Sequence, residues 1–489
     1  MDETPPMDNA ALDLIVKLSD SLAAQGIDYC HWKSNPFLNR SANGENDLDL
    51  LIGRPSAHRF ERILAELGFK ETFPPPGEAL PGIRDFYGLD EKSGRLVHVH
   101  AHYQLILGND LSKNYRLPLE QVYLKSSARQ GLFRVPAPEL ELATLVVRMT
   151  LKHSTWDALL MRHGSLSETE RRELEVLSTE ENFAKVDEAL KHLPGLDRGL
   201  FDLCLQSLQP GCPVWTRVRA GERLQKALRA CARRPHWFNL LLKFTRRVWR
   251  PIQGRVFGIA PRNRLANGGL FIAVLGGDGS GKTTLVEGLQ GWLSEVFTVR
   301  TLHMGKPAWS PLTFLLRGIL KIGTLLRLYP FEGDTYEEES QPHGFPWFVR
   351  AVCTARDRYL TYLRARRDSA NGSIVLCDRY SLPGFMHMDG PQCANALRAG
   401  KMPDGLIRWM SRREAFYYRQ IQPPDLMVVL KLDPETAVRR KTEETAESVR
   451  ARSTEVWNLG WEKFARVLDA GRPREEVLSA ARKIIWSSL

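Results

Sequence analysis

Nine consecutive residues, Gly276-Gly277-Asp278-Gly279-Ser280-Gly281-Lys282-Thr283-Thr284, set four glycines, one lysine and three hydroxyls in the order G-x-x-x-x-G-K-[ST]. Glycines at that spacing let the backbone turn tightly enough for its N–H groups to surround phosphate oxygens, and the start of a following helix adds partial positive charge. In such a loop the Lys282 ammonium bridges the terminal phosphates of a nucleotide and the Thr283 hydroxyl holds Mg²⁺. The pattern acquires meaning between a strand and a helix. Here the apolar run 270–275 reads as a buried strand, and 284–289 opens a helical pattern.

A second chemistry-bearing group lies near the amino end. In Gly44-Glu45-Asn46-Asp47-Leu48-Asp49-Leu50-Leu51-Ile52, two carboxylates stand two residues apart. Alternate residues of a strand share a face, so Asp47 and Asp49 project together and could hold one or two Mg²⁺ ions for nucleotidyl transfer. His31-Trp32-Lys33-Ser34-Asn35 precedes them at about the distance expected of a substrate-binding turn. Further on, Val97-His98-Val99-His100-Ala101-His102 sets three imidazoles on one strand face. They either bind a metal or form a polar strand face satisfied by its neighbours.

Regular elements must position these groups. Helical spacing runs over 10–25, strand alternation over 47–52 and 96–102, and Pro74-Pro75-Pro76-Gly77 is a loop. From 138 to 208 the pattern is helical, with Ser165-x-x-Glu168 and Ser178-x-x-Glu181 as helix starts. Asn267-Gly268-Gly269 marks a domain boundary. Beyond it, apolar runs at 297–302, 373–377 and 426–432 alternate with helical segments, which predicts a parallel sheet covered on both faces. Ligands of such sheets bind at the carboxyl ends of strands, where the glycine loop and Asp378-Arg379-Tyr380 both fall. Asp378 is therefore expected to orient Mg²⁺ or its water. Arg439, Arg440, Lys441, Arg450 and Arg452 form either a lid closing over phosphates or, with Glu443, Glu444 and Glu447 interspersed, a solvated helix face. The lid is the expectation, since the phosphate loop supplies no arginine of its own.

A chain of 489 residues predicts about three domains. The boundaries read as 1–135 (α+β), 136–216 (helical), 217–266 (basic amphipathic linker) and 267–489 (α/β). Seven scattered cysteines form no C-x-x-C pair, which argues against a disulfide framework or zinc ribbon and suits a reducing cytosol. The polar start is not a secretory signal, and the longest apolar stretch, 312–328, is broken by Arg317, Lys321 and Arg327. Of the net charge of +11, residues 217–264 carry +13, from fourteen basic residues and Glu222. Trp237 and Trp249 are interleaved there. Such a segment lies on an anionic membrane surface, packs as a solvated linker between domains, or binds nucleic acid, the last being least expected.

From about residue 268 to 489 the chain resembles the thymidylate kinase family of P-loop nucleoside monophosphate kinases. The resemblance is carried by the loop form G-x-D-G-S-G-K-T-T, by Asp378-Arg379-Tyr380, by Ala355-Arg356-Asp357-Arg358 upstream, by Pro424-Asp425-Leu426 and Asp433-Pro434-Glu435, and by Leu468-Asp469-Ala470. It implies ATP and Mg²⁺ as cofactors, with Thr283 and Asp378 at the metal. Arg379 and Arg356 or Arg358 would hold the acceptor phosphate, Asp278 would accept a hydrogen bond from an acceptor sugar hydroxyl, and Arg439, Arg440, Arg450 and Arg452 would serve as lid residues. The family's Arg-Glu-Pro-type motif is replaced by His303-Met304-Gly305-Lys306-Pro307, followed by an apolar and basic insert and Glu337-Glu338-Glu339, which puts thymidine monophosphate as acceptor in doubt. Residues 10–110 resemble nucleotidyltransferase-fold proteins through the Asp-x-Asp strand, although the family's Gly-Ser turn reads Lys33-Ser34 and histidine replaces the third acid. The expectation is a cytoplasmic phosphotransferase acting on a small-molecule acceptor, peripheral on the inner membrane face if 217–264 binds lipid, with a homodimer left open. An active amino-terminal nucleotidyltransferase and a non-catalytic ATP-dependent switch are the rivals.

Overall fold

The computed structural model describes residues 11–75, 77–109, 111–155, 166–257, 262–326, 345–381, 390–393, 405–441 and 445–489. The acidic run Glu337-Glu338-Glu339 and the interspersed Glu443 and Glu444 lie outside the described residues. The chain divides into two units, Met1–Asn263 and Arg264–Leu489.

In the amino-terminal unit, β1 (Tyr29–His31), β2 (Leu48–Ile52), β3 (Lys70–Phe73), β4 (Ile83–Leu89) and β5 (Leu96–His102) lie in the order β1-β2-β5-β4-β3. β2 and β5 run parallel and the other neighbours antiparallel, so the sheet is mixed. Leu48, Leu50 and Ile52 pack with Val97, Val99 and Ala101 against Leu14, Ile15 and Leu18 of the helix Asp13–Ala24 and Phe60 of the helix Ala57–Glu66. Two-residue alternation then sends Asp49 and the three histidines of β5 to the opposite face. Register completes the arrangement, since Asp49 on β2 and Asp85 on β4 both pair with His100 on β5. Two short hairpins, β6 (Leu105–Leu107) with β7 (Tyr115–Leu117) and β8 (Ala128–Gln130) with β9 (Phe133–Val135), accompany the sheet.

The helices Pro138–His153, Glu168–Leu177, Glu180–Leu190 and Arg198–Leu208 follow. They share one core with Cys30 and Leu51 of the strands and with Trp32 just after β1, so 136–216 covers the sheet instead of forming a separate domain. Leu224 and Leu228, from the expected linker, join the same core. Helix starts fall one or two residues later than the sequence pattern predicts. Ser167, not Ser165, caps its helix, with Glu170 N–H donating to the Ser167 hydroxyl and Ser167 N–H to the Glu170 carboxylate. Thr179, not Ser178, accepts from Asn182 N–H. The register of the first cap also lets Glu170 accept from Lys152 Nζ at 3.0 Å and meet His153 Nε2 at 3.1 Å, a gain beyond a local capping box. Burial alone would raise the Glu170 carboxyl, but these partners hold it well below the ordinary carboxylate range.

The carboxy-terminal unit opens with β10 (Arg264–Leu265). Its sheet comprises β11 (Phe271–Gly276), β12 (Val299–His303), β13 (Ile374–Asp378), β14 (Leu426–Lys431) and β15 (Arg466–Asp469), all parallel, in the order β12-β13-β11-β14-β15. One face packs Phe271, Ala273, Val375 and Val429 against Tyr362 and Ala365 of the helix Phe345–Ala370. The helices Lys282–Ser294 and Arg474–Ser488 meet through Trp292 and Trp486, with ring centroids 6.3 Å apart. β11 is central, which places the glycine loop beside the carboxyl end of β13 and hence beside Asp378.

One buried acid ties the turn after β1 to the helices. Asn35 donates its backbone N–H and its side-chain Nδ2 to Glu141, at 2.9 and 2.8 Å. Burial raises the Glu141 carboxyl to about 7, against the pull of those two donors. An unfolded chain releases this proton near pH 4.5, whereas the folded chain keeps it up to about pH 7. Stability is thus greatest below the lower value and is lost as pH rises through that window, by about 3 kcal/mol in all. Melting temperatures measured between pH 5 and 8 are expected to fall more steeply for the wild type than for Glu141→Gln. Parallel curves would remove Glu141 as the cause.

Candidate active site and a second polar cluster

The loop between β11 and the helix Lys282–Ser294 needs its glycines because other backbone crowds it. A Cβ on Gly276 would lie 2.8 Å from the Leu430 carbonyl oxygen. One on Gly279, whose φ of +71° is left-handed, would lie 3.1 Å from that of Ala437. This close approach brings the helices Pro434–Arg440 and Ala446–Asn458 down onto the loop. Lys282, buried, donates to the Gly277 carbonyl at 2.7 Å, and Ser280 Oγ donates to the same oxygen at 2.7 Å. Burial lowers the Lys282 ammonium to about 8, with Asp278 pulling the other way.

Asp278, also buried, is the focus of positive charge. Arg452 Nε lies 2.8 Å from its carboxylate, Arg379 Nη2 3.7 Å and Lys441 Nζ 3.8 Å. Arg379 has φ +62°, a left-handed backbone rare for a non-glycine residue and costing about 1–3 kcal/mol, which aims its side chain from the end of β13 towards the loop. Thr283 Oγ1 donates to Asp378 Oδ2 at 3.1 Å, while Asp378 Oδ1 is buried with no hydrogen-bond partner. Two oxygen ligands side by side, one of them unsatisfied, fit a hard cation such as Mg²⁺. A cavity of about 300 Å³ opens among Asp278, Lys282, Thr283, Asp378, Arg379 and Lys441, with His303 from the end of β12 on its wall. A second cavity, of about 240 Å³, lies against Ser280, Thr284, Leu285, Leu430, Arg440 and Ala470.

The structure thus gathers Gly276 to Thr284, Asp378, Arg379 and Arg452, sets Arg440 at the second cavity, and leaves the other expected residues elsewhere. Arg439 donates to Thr436 Oγ1 and Arg450 pairs with Glu435 at 2.8 Å, both exposed. Arg440 donates to the Ala470 carbonyl at 3.0 Å. Arg356 donates to Ser310 Oγ at 2.7 Å. Arg358 is fully buried, donates to the Met304 carbonyl at 2.8 Å and to the Tyr418 hydroxyl, and so anchors the segment after β12. Lys441, expected only as one member of the basic cluster 439–452, lines the cavity, and His303 stood outside the expected site residues. Their approach depends on where helix and strand ends meet.

The amino-terminal residues form a separate cluster. Asp49 Oδ1 lies 2.9 Å from Lys33 Nζ, 3.3 Å from His100 Nδ1 and 3.3 Å from His102 Nε2. Burial opposes ionisation, but these neighbours hold the Asp49 carboxyl well below its ordinary range. His98 meets Asp47 through Nδ1 at 2.9 Å and Asp85 through Nε2 at 3.0 Å. Bonding both nitrogens to carboxylates requires an imidazolium, and although burial works against it the two acids raise His98 to about 9. Burial, with His100 adding, lowers His102 to about 3. Asp47 and Asp49 do share a face, but imidazoles and an ammonium surround them, a setting that does not fit Mg²⁺, which prefers oxygen ligands. At the Ser34 turn the donors are already used, with Ser34 N–H on Glu173 at 3.1 Å and Asn35 N–H on Glu141. A phosphate there would meet two carboxylates, so the turn does not supply a phosphate cradle.

No family model matches the sequence. The uncharacterized ATP-binding protein YghS of Escherichia coli K12 is 24% identical over 237 residues, covering 45% of this chain and 93% of that protein. A probable thymidylate kinase of Pyrobaculum calidifontis is 29% identical over 226 residues, covering 44% of this chain and 95% of its own. A thymidylate kinase of Symbiobacterium thermophilum is 25% identical over 227 residues, covering 44% and 92%. Among solved structures, a thymidylate kinase of Candida albicans matches 45% of this chain and 92% of its own at 17% identity, with a TM-score of 0.28. The chain therefore carries a thymidylate kinase-like P-loop region, by distant similarity, over about 45% of its length. The nucleotidyltransferase resemblance gains no support from these relatives.

The two lid arginines separate cleanly in this geometry. Arg452→Ala is expected to weaken ATP binding about tenfold, the worth of one charge-assisted bond, whereas the exposed Arg450→Ala stays within about twofold. Calorimetric titration of both variants checks this, and the reverse order would move the lid role to Arg450.

Proposed function

We propose that this protein is an ATP- and Mg²⁺-dependent phosphotransferase of the thymidylate kinase type. It moves the γ-phosphoryl group of ATP to a nucleoside monophosphate or another small phosphorylated or sugar-like acceptor. The observation that carries the reading is the convergence of Arg379, Lys441 and Arg452 on Asp278, beside Lys282 and the Thr283–Asp378 pair, around one cavity.

Phosphoryl transfer between two anions needs positioning and neutralisation more than covalent participation. Asp278 keeps the cations in place, and an entering phosphoryl group replaces it as their counter-ion. Lys282, turning from the Gly277 carbonyl, neutralises the donor's β- and γ-phosphates. Thr283 and Asp378 would hold Mg²⁺, which would supply positive charge to offset that of the donor phosphates. The largely apolar cavity beside Leu285, Leu430 and Arg440 suits the donor's base, with the Arg440 guanidinium over a flat ring. Arg379 holds the acceptor phosphate. The acceptor's remainder lies towards His303, where the chain departs from the family motif, and this argues for an acceptor other than thymidine monophosphate.

The same protein is proposed to associate with anionic membrane surfaces. The helix His236–Phe257 turns its polar residues Asn239 and Lys243 inward and leaves Trp237, Leu241, Phe244 and Val248 exposed, a stripe recurring every three to four residues. Trp237 is 67% exposed and Trp249 54%. With +13 over 217–264, this face matches lipid tails edged by anionic headgroups. Among the described residues no helix is long and apolar enough to cross a membrane.

An acceptor screen with ATP, Mg²⁺ and panels of nucleoside monophosphates, sugars and sugar phosphates tests the catalytic reading. Lys282→Ala is expected to lower product formation by about a hundredfold or more with the fold intact. Arg379→Ala is expected to reduce turnover and acceptor affinity while ATP binding stays near normal. Binding of ATP without transfer to any acceptor would favour a switch over an enzyme. Sedimentation with vesicles checks the membrane reading. Anionic vesicles should carry the protein down at low salt and less so as the Debye length falls below about 10 Å, and Trp237→Ser with Phe244→Ser should stay in the supernatant.

A further inference from the structure

We infer that Asp49, His100 and His102 form a binding site for a divalent transition-metal ion of the Zn²⁺ class, with the Lys33 ammonium as its built-in competitor. One ligand atom from each of the three residues lies within 4.8 Å of the other two, close enough for a single ion to draw them together. They are set by register: Asp49 pairs with His100 across the parallel strands β2 and β5, and His102 follows on the same face. Two imidazole nitrogens and one carboxylate oxygen favour Zn²⁺, Co²⁺ or Ni²⁺ over Mg²⁺.

Three further observations point to a ligand. His100 turns Nδ1 towards Asp49 at 3.3 Å and Nε2 towards Asp85 at 3.5 Å. A metal taken on Nδ1 leaves Nε2–H to donate to a carboxylate, the arrangement that orients and strengthens metal-binding histidines. His102 is buried and turns Nε2 towards the same Asp49 oxygen at 3.3 Å. A cavity of about 270 Å³, lined by His98, His100, Asp85 and Tyr87 among others, opens beside the cluster. Three protein ligands and an adjoining cavity leave a coordination position for water or a small ligand.

Lys33 Nζ, 2.9 Å from the Asp49 oxygen that both histidines approach, holds the place of a cation. Its side chain is a quarter exposed and lies against the Trp32 ring, so the ammonium can leave towards solvent when an ion enters. Imidazole nitrogens beside a single carboxylate suit borderline ions better than hard ones.

The test uses the full-length, chelator-treated protein without nucleotide, titrated with Zn²⁺ by calorimetry and with Co²⁺ by visible absorption. The expectation is about one ion per chain that millimolar Mg²⁺ does not displace. Asp49→Asn and His100→Ala should each weaken binding by about a hundredfold or more. Asp85→Asn, which leaves all three ligands in place, should cost about 10–100-fold. Lys33→Met should tighten it about tenfold, a gain that a misfolded variant cannot produce. ATP affinity measured on each variant should stay unchanged, which keeps this site distinct from the phosphate loop. The inference is overturned if neither the wild type nor Lys33→Met binds the ion, or if binding survives in both Asp49→Asn and His100→Ala.

Discussion

A single buried carboxylate, Asp278, governs the arrangement of the nucleotide end of the protein. An unpaired charge under a folded loop would be costly, so burial of this acid requires cations to come to it. They arrive from three different places: Arg379 from the end of β13, Lys441 from the end of the helix Pro434–Arg440, and Arg452 from the helix Ala446–Asn458. Glycines in the loop make that possible, because side chains at Gly276 and Gly279 would collide with the backbone of Leu430 and Ala437. In the proposed reaction the acid does before substrate enters what substrate phosphate would do afterwards. It collects positive charge at one point and keeps mutually repelling cations together.

The same physics works at the amino-terminal sheet with a different donor set. Asp49 gathers Lys33, His100 and His102, while Asp47 and Asp85 share the His98 imidazolium. Here the counter-charges are supplied by imidazoles that can also act as ligands, and the nearby turn has given its N–H donors to Glu141 and Glu173. One end of the chain is therefore organised to receive oxyanions. The other places carboxylates where an oxyanion would have to bind and nitrogen ligands where a metal could.

The proposed membrane association depends on a similarly local inversion. In the helix His236–Phe257, the residues turned inward include Asn239 and Lys243, whereas tryptophan and phenylalanine face outward. Charge count alone does not distinguish this from a solvated linker. The proposal rests on the direction of the apolar stripe.

The sequence by itself determined the features that repeat locally. The glycine loop between strand and helix, the parallel strand pattern after residue 268, and β5 at Leu96–His102 were all legible, because backbone sterics and two-residue alternation act over a few neighbours. Strand limits for β11 to β14 moved by no more than two residues from the apolar runs. What only the tertiary structure decided involves distant partners. The cap chosen at Ser167 depends on Lys152 and His153, the burial of Arg358 on the Met304 carbonyl, and the choice of Arg452 over Arg450 on which side of a helix faces the loop. The basic cluster 439–452 announced positive charge, but each arginine has several rotatable bonds, and its neighbours fix where the guanidinium goes. The meeting of Asp49, His100 and Asp85 likewise rests on strand register, which side-chain alternation leaves open and the packed core sets.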